Sequence, residues 1–327
     1  MPRSGILGHL AGHGIVEERV DRNRKRDADD RLRAIRGEQR SLNGPIVCGG
    51  RRVESRSRAR RGLRYSPGTG SPLTARTTRR RTRGRRQSRE RVRVVEGQFG
   101  RELIVDGSFA SFYRPGSPVT GSVWDAIAAP LLALPAERCR SVLILGLGGG
   151  SAARIVRALA PGARIVGVEF DPAVVRAARD HFDLNDLNVE VVLADALVFL
   201  RGDERYYDAV LEDVFVGAGD AVQKPGWLPR PGLELAAERL VPGGVLVSNT
   251  LDEAQPVSKV LRKLFPEVLR IDVEDYDNRI FAAGFQLGNA ADLRARVGGS
   301  AVLGETVSRL SFRTLKTAAQ APSGRTP

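Results

Sequence analysis

The residues best suited to chemistry follow apolar runs in the middle of the chain. The first run, at 142–145, leads into Gly146, Gly148 and Gly150. Glycines at this spacing permit a tight turn and place a helix N-terminus beside a ligand. The next run ends at Glu169, where a ribose-binding acid is expected, and its carboxylate can accept hydrogen bonds from two ribose hydroxyls. Together these residues predict a site for a nucleotide-like ligand.

Two further acids end the following apolar runs. Asp195 ends one run and could accept a hydrogen bond from an adenine amino group or cap the next helix, and these roles are compatible. Asp213 follows Glu212 at the end of YDAVLE. Because neighbouring strand side chains point to opposite faces, we expect only one of this pair to face the ligand. We favour Asp213, which lies nearer the strand end, as a general base or as the group that orients an attacking amine or hydroxyl; the alternative is a solvated loop acid.

A long loop follows Asp213. Residues 217–231 are rich in glycine and proline, which is typical of a loop that covers a substrate. Trp227 lies within it, either as an anchor of such a lid or as ordinary loop packing. The only histidine after residue 13 is His181, late in a helix, where a contact with the helix dipole is expected. The sequence therefore predicts neither a histidine-based triad nor a metal site.

The elements that must position these residues alternate between strand and helix. Strands are predicted at 141–145, 164–169, 189–193, 207–212 and 244–249, and helices at 123–134, 151–160, 172–182, 231–240 and 255–264. Alternation of this kind is typical of a parallel sheet covered by helices, with ligands bound at the carboxyl ends of the strands. The predicted fold class is therefore α/β, a doubly wound, Rossmann-like sheet.

Antiparallel pairs are predicted on either side of this region. The run RVRVVEGQFGRELIVDGSFASFY has two apolar-rich stretches around Gly97 and Gly100 and indicates a small N-terminal β-hairpin domain over 91–122. Strands at 268–273 and 279–285 flank DYDN and indicate an antiparallel hairpin at the edge of the sheet. We expect residues 123–287 to form the main domain, with seven strands, and 288–327 to form short helices and a frayed tail.

The positive charge of the chain is concentrated at one end. The net charge is +14 over 327 residues, but residues 1–90 hold 25 Lys and Arg against 9 Asp and Glu, whereas the remainder has 27 against 29. The first 90 residues are also poor in apolar residues and show no periodicity, which predicts a disordered Arg-rich extension. It could be a basic arm for nucleic acid or an extension without function, and the lack of interleaved aromatics favours the second interpretation.

Cysteine content and hydropathy bear on the location of the protein. Cys48 and Cys139 form neither a metal-ligand pattern nor a disulfide framework, and they suit a reducing compartment. No uninterrupted apolar run is long enough to span a membrane, and the first residues lack the apolar core of a secretion signal. We therefore predict a cytoplasmic protein with no membrane partner.

Five motifs, taken in order, resemble the S-adenosylmethionine-dependent methyltransferase fold. They are VLILGLGGG, VGVEFDP, VVLADAL, YDAVLED and LVPGGVLVSN. More specifically, residues 91–287 are similar to spermidine synthases and their relatives. Three features favour that branch: the apolar Ile144 before the glycines, the LIVDG turn at 103–107, and FPE at 265–267 before the final hairpin.

The resemblance implies roles for the predicted site residues. It implies that Gly146, Gly148, Glu169 and Asp195 hold the nucleoside of S-adenosylmethionine or its decarboxylated form, without a metal. It implies that Asp213 deprotonates the attacking amine, and that the protein could form a homodimer.

The chain departs from polyamine synthases at several positions. Gly149 stands where they carry an acid within the glycine loop, and Val216 where they carry a second acid after the catalytic one. Ala110 replaces a glutamine, and TGSVWD at 120–125 replaces a Tyr-His-Glu signature. A dication would be poorly paired without these acids, whereas Gly149 leaves room for the carboxylate of ordinary S-adenosylmethionine.

These differences favour methyl transfer to a small acceptor. The alternatives are an aminopropyltransferase, as in polyamine biosynthesis, and a catalytically decayed nucleoside-binding scaffold. Modification of a nucleic acid, with the basic arm holding RNA, is a less favoured possibility.

Overall fold

The computed structural model describes residues 91–316 of the chain. Its strands are β1 (Val92–Gly97), β2 (Gly100–Val105), β3 (Ser108–Tyr113), β4 (Ser141–Leu145), β5 (Arg164–Glu169), β6 (Val189–Leu193), β7 (Tyr207–Glu212), β8 (Leu240–Thr250), β9 (Glu267–Val273), β10 (Arg279–Gly284) and β11 (Leu310–Leu315). Its α-helices are α1 (Val123–Ala128), α2 (Ser151–Leu159), α3 (Pro172–His181), α4 (Ala196–Gly202), α5 (Gly232–Glu238), α6 (Ala254–Leu264) and α7 (Ala290–Gly298). Short 3₁₀ helices occupy Ala129–Ala133, Ala136–Arg138, Leu184–Leu187, Gly219–Ala221 and Gly304–Arg309.

The main sheet has eight strands in the order β11-β9-β10-β8-β7-β4-β5-β6. The five strands from β8 to β6 are parallel, and β10, β9 and β11 add antiparallel pairs. The predicted α/β doubly wound class is confirmed. The predicted position of the β9–β10 hairpin at the sheet edge is wrong, because β11 pairs with β9 and forms that edge. Our expectation of seven strands missed β11, whose sequence LSFRTL has only a weak alternation of apolar residues.

The central strands are buried on both faces. In β4, Val142 and Ile144 join one apolar cluster and Leu143 and Leu145 join another. A strand covered by helices on both faces must be apolar at successive positions, which explains the continuous run VLIL. The carboxyl end of β4 lies at the point where the strand order reverses, between β5 and β7.

The N-terminal unit is a three-stranded antiparallel sheet in the order β1-β2-β3. The predicted turn between Gly97 and Gly100 is present, but the expectation of a two-stranded hairpin is wrong because SFASFY forms β3. Leu103 of β2 and Tyr113 of β3 pack against Phe182, just after α3. The Ser151 hydroxyl at the start of α2 accepts from the Phe112 amide at 2.9 Å. This sheet is therefore fastened to the helices that carry the site.

Most predicted boundaries agree with the structure to within a few residues. Helix α4 was not predicted as a helix, although Asp195 was recognised as a possible cap for one, and β8 begins at Leu240 rather than residue 244. The predicted disordered extension at 1–90 lies outside the described residues. Within residues 91–316, no helix combines the length and apolar character needed to cross a bilayer.

Candidate functional site

A cleft of about 740 Å³ opens at the carboxyl ends of β4, β5 and β7. This is the point at which the strand order reverses, where open α/β sheets bind their ligands. Its volume falls in the range of sites that enclose small ligands. Gly146, Glu169, Asp195 and Asp213 all line it, so the structure brings together the residues that the sequence placed at four separate strand ends.

The glycine turn after β4 needs its glycines for different reasons. Gly146 has φ +82°, and a Cβ there would lie 2.5 Å from the carbonyl oxygen of Asp213. Gly148 has φ +55° and lines the cleft. Gly150 has φ +86° but does not line the cleft; a Cβ on it would meet Leu184 at 3.0 Å. We predicted Gly150 as a cofactor-binding residue, but its position fits a role in packing α2 instead.

Ser111 of β3 occupies the space beside Gly149. Its hydroxyl oxygen accepts from the Gly149 amide at 2.6 Å and donates to the Ala110 carbonyl oxygen at 2.5 Å. A Cβ on Gly149 would lie 2.8 Å from the Ser111 Cβ and 3.2 Å from the Phe182 ring. In this chain Ser111 therefore fills the position at which polyamine synthases carry an acid, and our expectation that Gly149 leaves room there for the carboxylate of S-adenosylmethionine is wrong.

Glu169 is held by backbone amides around its carboxylate. Oε2 accepts from the Gly148 amide at 2.9 Å, and Oε1 accepts from Phe170 at 2.9 Å and Asp171 at 3.0 Å. Burial raises the pKa of this carboxyl, and the bonds from Gly148 and Phe170 oppose that rise. These three bonds fix the carboxylate at the cleft and occupy three of its about four lone-pair sites, so one site remains to accept from a ligand hydroxyl.

Asp195 and Asp171 both cap helices. Asp195 Oδ1 accepts from the Val198 amide at 3.0 Å, and Asp171 Oδ1 accepts from the Ala173 amide at 2.8 Å. The predicted capping role of Asp195 is confirmed. The second carboxylate oxygen of Asp171 is paired with Arg91. Asp195 also lines the cleft, which is consistent with our interpretation that capping and ligand contact are compatible.

Asp213 sits on the cleft floor with a donor on each carboxylate oxygen. Trp124 Nε1 donates to Oδ2 at 3.1 Å, and Asn249 Nδ2 donates to Oδ1 at 2.8 Å. Asn278 Nδ2 donates to the Asn249 side-chain oxygen at 3.0 Å, which orients that amide. Burial raises the pKa of Asp213 to about 6, and the positive charge of Lys224 partly opposes the rise. Asp213 is therefore a fixed acceptor with a stronger basicity than an ordinary carboxylate.

Glu212 points away from the cleft, as strand alternation requires. Both its side chain and that of Lys224 are 1% exposed, and Lys224 Nζ lies 2.7 Å from Glu212 Oε1. Ser248 donates to Glu212 Oε2 at 2.6 Å. Neither Glu212 nor Lys224 lines the cleft.

The predicted lid folds back on itself and reaches the N-terminal sheet. Val216 and Gln223 form an antiparallel bridge, with amide-to-carbonyl distances of 2.8 and 2.9 Å. The Gly219 amide donates to the Asp106 carbonyl oxygen at 3.0 Å, in the turn between β2 and β3. Trp227 lines the cleft. Its ring also packs against Gly232, where an added Cβ would lie only 2.4 Å from the ring. Both interpretations of Trp227 thus have support.

Several residues of the site were not predicted from the sequence. Trp124 lies in the 120–125 segment, which we noted only as a departure from polyamine synthases. Asn249 and Asn278 lie on or next to strands that we predicted, yet single amides carry no motif. A possible signal was that Asn249 ends an apolar strand, as Asp213 does.

Comparison with known proteins gives relatives of two kinds. The eEF1A lysine and N-terminal methyltransferase homolog of Drosophila pseudoobscura pseudoobscura is 32% identical over 152 residues, covering 43% of this chain and 23% of that protein. The polyamine aminopropyltransferase of Chromobacterium violaceum is 31% identical over 177 residues, covering 49% of this chain and 66% of that protein. The chain thus spans between about a quarter and two thirds of these relatives. No protein-family model matches the chain.

Among solved structures, the crystal structure of a probable spermidine synthase from Corynebacterium glutamicum ATCC 13032 matches with a TM-score of 0.55 and 20% identity, covering 68% of this chain and 86% of that one. At this identity the match shows the fold alone. The chain has the S-adenosylmethionine-dependent methyltransferase fold with spermidine synthase-like relatives, so the resemblance predicted from the sequence is confirmed. Both kinds of relative are transferases.

Proposed function

We propose that this protein is an S-adenosylmethionine-dependent transferase that methylates a small amine acceptor, with Asp213 as the base. The observation that carries the proposal is a carboxylate with a pKa of about 6, bound by Trp124 and Asn249, directly beside a glycine turn that faces the same cleft. This arrangement places a base next to a nucleotide-type site, which is what a transfer to a proton-bearing nucleophile requires.

The residues of the cleft suit an adenosyl sulfonium cofactor. Gly146 and Gly148 allow the backbone to approach it, Glu169 offers a carboxylate to ribose hydroxyls, and Asp195 offers an acceptor to the adenine amino group. Among the described residues, no group of three His, Cys, Asp or Glu side chains is arranged to hold a metal ion.

The charge of the cleft favours a cationic acceptor. The only basic residue among its described lining is Arg91, which is paired with Asp171. Against it stand six carboxylates: Asp106, Glu169, Asp171, Asp195, Asp213 and Asp220. A negative cleft concentrates cations and repels anions, so an alkylammonium is a better acceptor than a carboxylic acid or a nucleic acid. The relatives named as lysine methyltransferases and aminopropyltransferases also act on amines.

The residues then divide the work of the transfer. When bound, S-adenosylmethionine supplies an electrophilic methyl carbon on a positively charged sulfur, and the electrons of the broken carbon–sulfur bond leave with the sulfur. Asp213 orients the acceptor nitrogen and accepts its proton, so that the nitrogen lone pair can form the new bond. Because its pKa is raised towards neutrality, Asp213 accepts this proton at a smaller free-energy cost than an ordinary aspartate would. Most of the rate enhancement is expected from holding the reactants in line.

Aminopropyl transfer is the second candidate. It is favoured by the relatives that are aminopropyltransferases and by the position of Asp213, which matches their catalytic acid. Against it stands the space beside Gly149, which Ser111 fills, because the acid of polyamine synthases has no place there.

The test separates the three functions by cofactor and product. Calorimetry would measure binding of S-adenosylmethionine, decarboxylated S-adenosylmethionine and methylthioadenosine, with Glu169→Gln as the variant expected to weaken it. Incubation with methyl-labelled S-adenosylmethionine and panels of monoamines, diamines and carboxylic acids would follow, with Asp213→Asn as the control. The proposal is supported if the unmodified protein forms a methyl-labelled amine and Asp213→Asn does not. Aminopropylated putrescine at normal turnover would instead favour the second candidate, and no binding of any of the three compounds would favour a decayed scaffold.

A further inference from the structure

The buried ion pair between Lys224 and Glu212 lies outside the lining of the cleft, yet it adjoins Asp213. Both side chains are 1% exposed, and neither lines the cleft. Burying two charges costs several kcal/mol per ion, and an apolar pair of similar volume is often as stable or more so. Stability alone is therefore a poor explanation for the pair, and its contacts indicate another one.

Both partners bind the backbone of Val214, the residue that follows Asp213, one through its amide and the other through its carbonyl oxygen. The Val214 amide donates to Glu212 Oε1 at 2.8 Å, and Lys224 Nζ donates to the Val214 carbonyl oxygen at 3.0 Å. Lys224 Nζ also lies 3.9 Å from the centre of the Phe215 ring. Residue 214 is thereby fixed from both sides of its backbone, and the Asp213 carboxylate has little freedom to turn.

The pair also fixes the base of the lid. Lys224 directly follows Gln223, which bridges to Val216, and the Lys224 amide donates to Glu253 Oε1 at 2.8 Å. One buried contact thus closes the loop that begins after Asp213 and returns beside it.

These same two residues are charged groups that shift the pKa of Asp213 from behind the strand, while Asp106, Glu169, Asp171, Asp195 and Asp220 share its cleft. Lys224 lowers the pKa of Asp213 and Glu212 raises it, in addition to the larger effect of burial. The uncharged donors Trp124 and Asn249 contact the carboxylate directly. The pair is therefore placed to affect both the orientation and the protonation of Asp213.

We propose that Lys224 and Glu212 are positioning residues, which lock the backbone of Val214 and the base of the lid and balance the charge behind the Asp213 carboxylate. The inference rests on the proposed function only in treating Asp213 as the base. Its physical content, the effect of the pair on Asp213 and on the lid, can be measured without any acceptor.

The experiment compares Lys224→Met, Glu212→Gln and the double variant with the full-length protein. Carbon-13 NMR would follow the titration of the Asp213 carboxyl, assigned by its absence in Asp213→Asn. Removing Lys224 should move the Asp213 titration upwards by about one pH unit, and removing Glu212 should move it downwards, because an opposite charge nearby favours the ionised form and a like charge disfavours it. The double variant should titrate between the two. Lys263→Met, the same substitution at an exposed position on α6, should leave the titration unchanged.

Hydrogen exchange and calorimetry complete the test. Exchange of the Val214 and Val216 amides should become at least tenfold faster in Lys224→Met, whereas a purely local packing role would not move the Asp213 titration. If a single variant does not fold, two further variants decide the question. Lys224→Arg keeps the charge and should preserve the titration of Asp213. The double variant leaves no unpaired buried charge and should exchange the Val214 and Val216 amides faster. Unchanged titration and exchange in the folded variants would overturn the inference. Absence of S-adenosylmethionine binding by the unmodified protein would instead count against the proposed function and leave this result intact.

Discussion

Replacing Asp213 with asparagine should raise the stability of the variant relative to the unmodified protein as pH increases, while abolishing transfer. Burial raises the pKa of this carboxyl from its ordinary value of 3.8 to about 6 in the folded state. The folded protein therefore holds a proton that the unfolded chain releases between pH 3.8 and 6. Stability must fall as pH rises through this window, because the folded state binds more protons than the unfolded state.

The size of the effect follows from the shift. About two pH units at about 1.4 kcal/mol per unit give a cost of about 3 kcal/mol once both states are ionised. Asparagine has the shape of a protonated aspartate and carries no charge at any pH. Its amide nitrogen cannot accept the bond that Trp124 or Asn249 donates to one carboxylate oxygen, which costs about 1–3 kcal/mol at every pH. We therefore expect the free energy of unfolding of Asp213→Asn, relative to that of the unmodified protein, to rise by about 3 kcal/mol between pH 4 and pH 8.

Urea denaturation at several pH values between 4 and 8, followed by tryptophan fluorescence, measures this difference. Asp195→Asn is the matched control, because it removes another carboxylate of the cleft and keeps a good helix cap. A stability difference for Asp213→Asn that is the same at pH 4 and pH 8, or that favours the unmodified protein more as pH rises, would refute the reasoning. The expected outcome, a relative stability that rises with pH while activity is lost, is the trade-off of a functional group held in an unfavourable environment.

Three further substitutions test the cofactor side of the cleft. Glu169→Gln should weaken S-adenosylmethionine binding about tenfold or more in calorimetry, since an amide nitrogen cannot accept the backbone bonds that a carboxylate oxygen accepts. Gly149→Asp should lower the free energy of unfolding by about 1–3 kcal/mol through overlap with Ser111, and adding Ser111→Gly should recover part of that loss in urea titrations. Gly146→Ala should cost about 2 kcal/mol or more, because φ is +82° and the carbonyl oxygen of Asp213 lies in the way; a smaller loss would mean that the turn can relax.

The fold was predictable where local pattern and tertiary role coincide. The strand β4 is apolar at every position after Ser141 because helices cover both its faces, so periodicity and burial gave the same answer. The strand β11 was missed because half of its residues are exposed at an edge, where the apolar signal is weak. Similarly, β3 contains serines and an alanine, and its pairing with β2 depends on tertiary contacts with α2 that no local pattern records.

The site was predictable to the extent that strand ends converge. Parallel strands bring their carboxyl ends to one edge, so Glu169, Asp195 and Asp213 could be placed together from sequence alone. The partners of Asp213 could not, because Trp124 comes from a helix 89 positions earlier and Asn249 from a neighbouring strand. Lys224 carried no recognisable context in the sequence, since its role depends on a loop that folds back on its own start.

The departures from the polyamine synthase pattern differ in their surroundings. At position 149 the side-chain space is filled by Ser111, whose hydroxyl binds the same glycine turn. At position 216 the bridge to Gln223 is made by backbone atoms, and the Val216 side chain is 44% exposed and lines the cleft. The charge that balances Asp213 comes from Glu212 and Lys224 behind the strand, on the side away from the cleft. An acid introduced at 149 would therefore meet an occupied space, whereas one at 216 would not. For this reason we expect an acid at 149 to lower stability before it could create a site for a diamine.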